Sequence, residues 1–281
     1  MNVNRKPLNN NINLDRSVLA YNEYNGHITN KHYHDGPLVS VIIPLYNEEN
    51  SIKKVIEKIP TNFNYEILII DDGSFDNSFN EIRKIDNKYI RIIKHKRNLG
   101  YGAALLTGFR YAYGDFIVTI DSDGQHDPKE IPKLLKPVME EKADLTIGSR
   151  YLGKCSYVVP LHVRMGEYFI RKVIKFLYHK EIANNQCGFR AFNKAVLNHL
   201  QEFYHYGMSF STELLLKVLE NNKKIMQVPI SLKPRKYGTS YVNLARILRK
   251  ICMCFLIYGL RKLRFSRKFI DKYLSGLFKK L

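Results

Sequence analysis

The sequence predicts an α/β fold, a mainly parallel sheet flanked by helices. Three observations carry this. Short, continuous apolar runs recur from residue 38 onward, helical stretches separate them, and several runs end in a polar or acidic turn. Strands in the middle of a helix-covered sheet are buried on both faces, so they read as unbroken apolar runs. The chain has 281 residues, 45% of them hydrophobic, enough for one large domain or two small ones with a sizeable core.

The elements follow in order. Residues 1–36 are rich in Asn and show neither helical nor strand period, which predicts a poorly ordered arm. LVSVIIP (38–44) is an apolar run bounded by turn formers, the first strand. A polar turn and a helical stretch over 48–59 come next. YEILIID (65–71) is a second buried strand that ends in Asp-Asp-Gly-Ser, where Gly73 suits a turn needing positive φ. Residues 91–94 form a third strand and 100–113 a helix with small residues for close packing. Residues 116–120 are a fourth strand, and 144–149 a fifth, after a helix that begins near Pro128. FSTELLLKVLENN (210–222) is helical in pattern, and no internal repeat is evident.

The formal net charge is +19, which points to anionic partners: nucleic acid, a phosphorylated substrate or a membrane surface. The charge is concentrated at the end of the chain. Residues 233–281 carry fourteen Lys/Arg and a single acid, Asp271. The four cysteines, Cys155, Cys187, Cys252 and Cys254, form no C-x-x-C pair or disulfide-like framework, which suits a reducing, cytosolic setting. The N-terminus has no apolar core of the signal-peptide kind.

FIVTIDSDGQHDP (116–128) carries a buried strand straight into a cluster of carboxylates. In open parallel sheets ligands bind beyond the carboxyl ends of the strands. Asp121, Asp123 and Gln125 alternate there, and residues two apart in an extended segment point the same way. Three oxygen donors converging on one point suit a hard divalent cation, Mg²⁺ or Mn²⁺. The competing reading is that such aspartates cap the next helix, as Asp127 before Pro128 is placed to do. His126 flanks this cluster and is not expected to be a ligand.

PLYNEE, DDGSFD, RNLGYGAALLTGF, DSDGQHDP, IGSRYLGK, NNQCGFRAF, FSTELL and RKYGTS occur in this order across residues 37–241. Together they resemble the family 2 glycosyltransferases of GT-A fold, most nearly the enzymes that glycosylate dolichyl and other polyprenyl phosphates. The resemblance implies a nucleotide-sugar donor of GDP-mannose or UDP-glucose type and residue roles to match. Pro44, Tyr46 and Glu48 would hold the nucleoside, and Asp72 the base or ribose region. Asp121, Asp123 and Gln125 would hold Mg²⁺ or Mn²⁺ on the diphosphate. Gly100 and Gly102 would permit close packing beneath the nucleotide. Without the resemblance, Tyr46 reads equally as packing and Glu48 as the opening of the first helix.

The chemistry expected is attack by an acceptor oxygen on the anomeric carbon, an inverting displacement of the nucleoside diphosphate. A hydroxyl acceptor needs a general base. After Tyr151 the acids are few and none are neighbours; Glu213 is the best candidate. A phosphate monoester is already anionic at neutral pH and needs only positioning. The shortage of acids therefore favours a polyprenyl phosphate acceptor over a saccharide or protein hydroxyl. Arg150, Arg164 and Arg235 match phosphate-holding arginines of the resembling enzymes, a task suited to the planar guanidinium. Arg190 reads as readily as an internal structural residue. Three positions depart from the family pattern: Asn184 in place of Asp, Gln227 in place of Glu, and Tyr241 in place of Lys.

At the C-terminal end, residues 242–281 form a basic amphipathic segment. Residues 251–260 are uncharged but fall short of the roughly 20 apolar residues that span a bilayer. From Arg264 to Leu281 aromatic and aliphatic residues recur at helical spacing with lysines and arginines between them. Such a helix suits the surface of an anionic membrane, or docks on the protein with its lysines solvated. The organisation expected is thus an arm (1–36), a GT-A domain (37–241) and a membrane-associating helical segment (242–281) at a cytoplasmic membrane face. No nucleic-acid-binding motif is evident, and a nucleic acid partner is not expected. A non-catalytic membrane adaptor of the same fold is the remaining alternative.

Overall fold

A computed structural model describes residues 19–20, 37–200, 203, 207–237 and 244–262. Its strands are β1 (Leu19–Ala20), β2 (Val39–Leu45), β3 (Tyr65–Asp71), β4 (Ile90–His95), β5 (Phe116–Thr119), β6 (Leu145–Cys155), β7 (Arg190–Asn193) and β8 (Ile225–Leu232). They form one sheet in the order β1-β4-β3-β2-β5-β7-β6-β8. The β4-β3-β2-β5 half is parallel throughout, and β6 pairs parallel with β8. Two antiparallel pairs, β5-β7 and β7-β6, join these halves, and β1 adds antiparallel to β4.

All seven residues of β2 and of β3 are buried, as their unbroken apolar runs require. Burying an aliphatic side chain contributes about 1.5–3 kcal/mol, so this central ribbon dominates the stability of the sheet. The two carboxylates inside it are matched, and Asp71, at the end of β3, pairs with Lys94 (3.2 Å). Glu66 on β3 accepts from Ser40 Oγ (2.5 Å), Arg91 (2.8 Å) and the Tyr113 N–H (2.6 Å). Pro44 lies on β2 past the end of the β5 pairing, where the strand has a neighbour on one side only.

The helices are α1 (Ile52–Ile56), α2 (Ser78–Arg83), α3 (Tyr101–Tyr111), α4 (Ile131–Met139), α5 (Leu161–Tyr178), α6 (Phe210–Glu220) and α7 (Leu244–Lys262). Helix α3 packs on β2 and β3, and α4 on β5, β6 and β7. Phe109 of α3 meets Phe192 of β7 edge to face, with centroids 5.4 Å apart, and tilts against Phe210 of α6. The five strands expected from sequence are present, though β6 runs on to Cys155 and the first helix is only five residues long. Strand β7 and helices α2 and α5 were not expected, nor was β1, which pairs with β4 from within the arm expected to be poorly ordered.

Helix α7 docks on α5 and α6. Ile251, Cys254, Phe255, Ile257 and Tyr258 are buried in that contact. The uncharged stretch 251–260 is therefore a core helix. No helix among the described residues is long and apolar enough to cross a membrane. The basic sequence from Arg264 onward, Tyr241 and most of the N-terminal arm lie outside the described residues.

Candidate active site

The parallel strands deliver their polar ends to one rim. The PLYNE turn after β2 and the DDGS turn after β3 are tied together there. The Asn47 N–H donates to Ser74 Oγ (3.0 Å) and the Phe75 N–H to Asn47 Oδ1 (3.0 Å). Tyr46 packs edge-on against Phe75, which stands 78% exposed on the rim. Asp72 faces inward. It accepts from the Leu99 N–H (2.9 Å) and the Gly100 N–H (2.8 Å), and its Oδ1 lies 2.7 Å from His95 Nδ1. Its oxygens are taken up in holding the β3 turn to the start of α3, a different task from the nucleoside contact expected. Gly73, at φ +76°, has no room for a side chain against the Arg97 backbone.

Asp121 and Asp123 follow β5 on this rim. Tyr101 Oη donates to Asp121 Oδ1 at 3.0 Å, and the Gln125 N–H to Asp123 Oδ1 at 3.0 Å. Burial raises the pKa of both carboxyls above the ordinary range, and the charge of Asp121 raises Asp123 further. Gln125 turns elsewhere: its amide donates to the Lys233 carbonyl (3.1 Å), fastening the loop to the exit of β8. His126 Nε2 lies 3.7 Å from Asp121 Oδ2 and 4.0 Å from Cys187 Sγ. Burial lowers its pKa to about 4, so the imidazole is neutral, and it pushes the Cys187 thiol up to about 12. Behind Asp121 lies Gly188, where a Cβ would stand 2.5 Å from the carboxylate and 2.6 Å from Tyr101 Oη. The glycine of NNQCGFRAF thus leaves space for the acid.

Arg235, just past β8, reaches back across the rim. It pairs with Glu48 Oε1 and lies 3.8 Å from Asp123 Oδ2. Glu48 also accepts from Ser51 Oγ (2.9 Å), and its pKa is raised, chiefly by burial. It is therefore an anchor for the arginine. Beside Asp123 a cavity of about 350 Å³ is lined by Lys54, Lys58, Lys233, Lys236 and Tyr237. Lys233 is paired with Asp127 at 3.1 Å, and Lys54 donates to Tyr237 Oη at 3.2 Å. Asp127 accepts from the Lys129 N–H, capping the turn at Pro128 as expected.

Arg150 on β6 grips Glu167 of α5 (2.6 Å), which Tyr151 Oη also contacts. Arg164 is exposed on α5, one turn before Glu167. Arg190 is fully buried and donates to the carbonyls of Cys187, Asn185 and Ser211 (2.6–2.8 Å), so it organises the loop behind the acids. Asn184 donates to the Gly148 carbonyl (3.3 Å), and Gln227 binds the Ala183 N–H and the Glu181 carbonyl, so both departures have structural tasks. Glu213 is fully buried in α6 and accepts from Tyr258 Oη (3.2 Å).

Among the described residues no three His, Cys, Asp or Glu side chains converge into a complete metal site. Two half-buried carboxylates still fit a hard divalent ion that draws its other oxygens from substrate and water. Desolvation is the main reason both pKa values are raised, and a bound cation would offset that cost.

Residues 40–201 match the model of glycosyl transferase family 2. The chain is 33% identical over 214 residues to UDP-N-acetylglucosamine–dolichyl-phosphate N-acetylglucosaminyltransferase of Methanococcus voltae, covering 69% of this chain and 84% of that protein. It is 30% identical to dolichol-phosphate mannosyltransferase of Pyrococcus furiosus, over 72% of this chain and 58% of that longer protein. Glucosyl-3-phosphoglycerate synthase from Mycobacterium tuberculosis, solved with Mn²⁺, UDP and phosphoglyceric acid, shares the fold. Its TM-score is 0.65 at 21% identity, over 79% of this chain and 78% of that one. The chain belongs to glycosyl transferase family 2 and is a glycosyltransferase.

Proposed function

We propose that this enzyme transfers a sugar from a nucleotide-sugar donor to a polyprenyl phosphate by inverting displacement, with Mg²⁺ or Mn²⁺ held by Asp121 and Asp123. The observation that carries the choice of acceptor is the fate of the carboxylates beyond Tyr151. Four of them are described. Glu167 is held by Arg150 and Tyr151, Glu181 by Lys175 at the surface, Glu213 by Tyr258 in the core, and Glu220 lies 3.9 Å from Arg261. None is placed as a base on an incoming hydroxyl. An acceptor phosphate brings its own anionic oxygen and needs cations to position it.

The residues divide the work. Tyr46 and Phe75 offer an aromatic edge for the nucleoside. Tyr101 fixes one oxygen of Asp121 and the Gln125 N–H one oxygen of Asp123, so both carboxylates are oriented before substrate arrives. A divalent ion bound there would neutralise charge developing on the departing diphosphate. Arg235 is drawn toward Asp123 and is positioned to exchange that carboxylate for phosphate oxygens. The lysine-lined cavity adds positive potential for an anionic ligand. Arg150 and Arg164 are assigned to the acceptor phosphate by the family resemblance, Arg150 after release from Glu167.

The reading is supported by the relatives acting on dolichyl phosphate and by the Mn²⁺- and UDP-bound fold neighbour. Its test is incubation with UDP- and GDP-sugars, Mg²⁺ or Mn²⁺, and a short-chain polyprenyl phosphate, followed by mass analysis of the lipid. A glycosyl-phosphate lipid that forms only with the metal is the expected product. Transfer to a saccharide or peptide hydroxyl, with the lipid phosphate unmodified, would overturn the acceptor assignment.

A further inference from the structure

Helix α5 is amphipathic twice over. Its inner face buries Ile170, Ile174 and Tyr178. Its outer face presents Leu161 (70% exposed), Met165 (64%), Phe169 (58%) and Phe176 (80%), with Tyr168 among them. These positions recur at three- and four-residue steps and share one side of the helix. They form a stripe about 22 Å long at 1.5 Å per residue. Val158, 90% exposed, extends it beyond the helix start. Lys172 lies within the stripe, and Arg164, Arg171 and Lys175 run along its edge. Scattered apolar residues at a surface are ordinary, but a contiguous apolar stripe edged by cations calls for a partner.

We propose that the outer face of α5 docks on an anionic lipid bilayer. Charge selects this occupant over two others. A second copy meeting the face by two-fold symmetry would set its basic edge against itself. The chain's own C-terminal sequence, residues 263–281, carries six Lys/Arg and one acid and would be repelled in the same way. That sequence leaves the described body at Lys262, whose Nζ lies 5.5 Å from the Tyr178 ring at the end of α5. Basic side chains therefore gather at both ends of one apolar face, the pattern of an interfacial helix. The Arg150–Glu167 pair bolts this helix to β6 beside the catalytic rim. For the consequence that a lipid-borne phosphate is then presented to the rim, the inference rests on the proposed acceptor; the docking itself does not.

The chain contains no Trp, so Phe176→Trp introduces a single indole on the stripe. Adding phosphatidylcholine vesicles containing 30 mol% phosphatidylglycerol to the full chain should shift its emission to the blue, and lipid-borne quenchers should quench it. A second variant, F169D/F176D, should melt like the parent and bind these vesicles about tenfold or more weakly in co-sedimentation, since two exposed aromatics no longer gain burial in the bilayer. It should still glycosylate a short, water-soluble polyprenyl phosphate at the parent rate, which separates a docking failure from a failure of the acceptor reading. Unchanged emission while the protein co-sediments would overturn the proposal. So would full vesicle binding by F169D/F176D, with or without conversion of a dimer to a monomer in sedimentation velocity.

Discussion

Asp121 and Asp123 are strained as isolated groups, since both are largely withdrawn from water and the charge of Asp121 bears on Asp123. Asp123→Ala is expected to lower sugar transfer about a hundred- to a thousandfold, as loss of a charge-stabilising group does, with circular dichroism unchanged. Asp123→Asn should also raise the melting temperature of the metal-free protein. The sign follows from linkage. A carboxyl whose pKa is raised by folding contributes stability fully below its unfolded value, and that stability is lost as pH rises through the folded value. The melting gap between Asp123→Asn and parent should therefore widen from about pH 4 toward pH 7, and Mn²⁺ should close it for the parent alone. A gap that narrows over that range would refute the electrostatic account. Gly188 supports the same pair by its lack of a side chain. Gly188→Ala must displace Asp121 or Tyr101, and transfer should fall about tenfold or more while the fold persists.

Helix α6 illustrates how an element decides between chemistries. Its Glu213 sits opposite Tyr258 of α7, inside the protein. Glu213→Gln should keep transfer within about tenfold of the parent, whereas a general base would cost 10²–10⁴. Tyr258→Phe should lower stability by about 1 kcal/mol, the net worth of one buried hydrogen bond, measured by urea unfolding. A loss of orders of magnitude in rate from Glu213→Gln, with donor affinity intact, would instead favour a hydroxyl acceptor. The segment after β8 acts as an element too. Lys233, Arg235 and Tyr237 fasten it to Asp127, Glu48 and Lys54 in turn. Arg235→Lys loses the bridging fork and should raise the donor KM more than a surface Lys→Arg exchange does.

At the scale of the molecule, the excess positive charge serves, in our proposals, two kinds of anion: phosphates in the rim cavity and lipid headgroups along α5. What the sequence alone determined were the central strands, the acidic rim and the family. Those strands are legible because burial on both faces leaves an unbroken apolar run, and the motifs because their order is written in the chain. The tertiary structure decided the rest. The sequence cannot show that Asp72 and Glu48 spend their oxygens on Gly100 and Arg235, residues 28 and 187 positions away, or that Gln125 binds Lys233 while Tyr101 and Gly188 shape Asp121. Nor could it distinguish the two apolar faces of α5, one packed and one open, since both read as hydrophobic. Long-range partners and exposure are properties of packing, and packing exists only once separated parts of the chain are brought together.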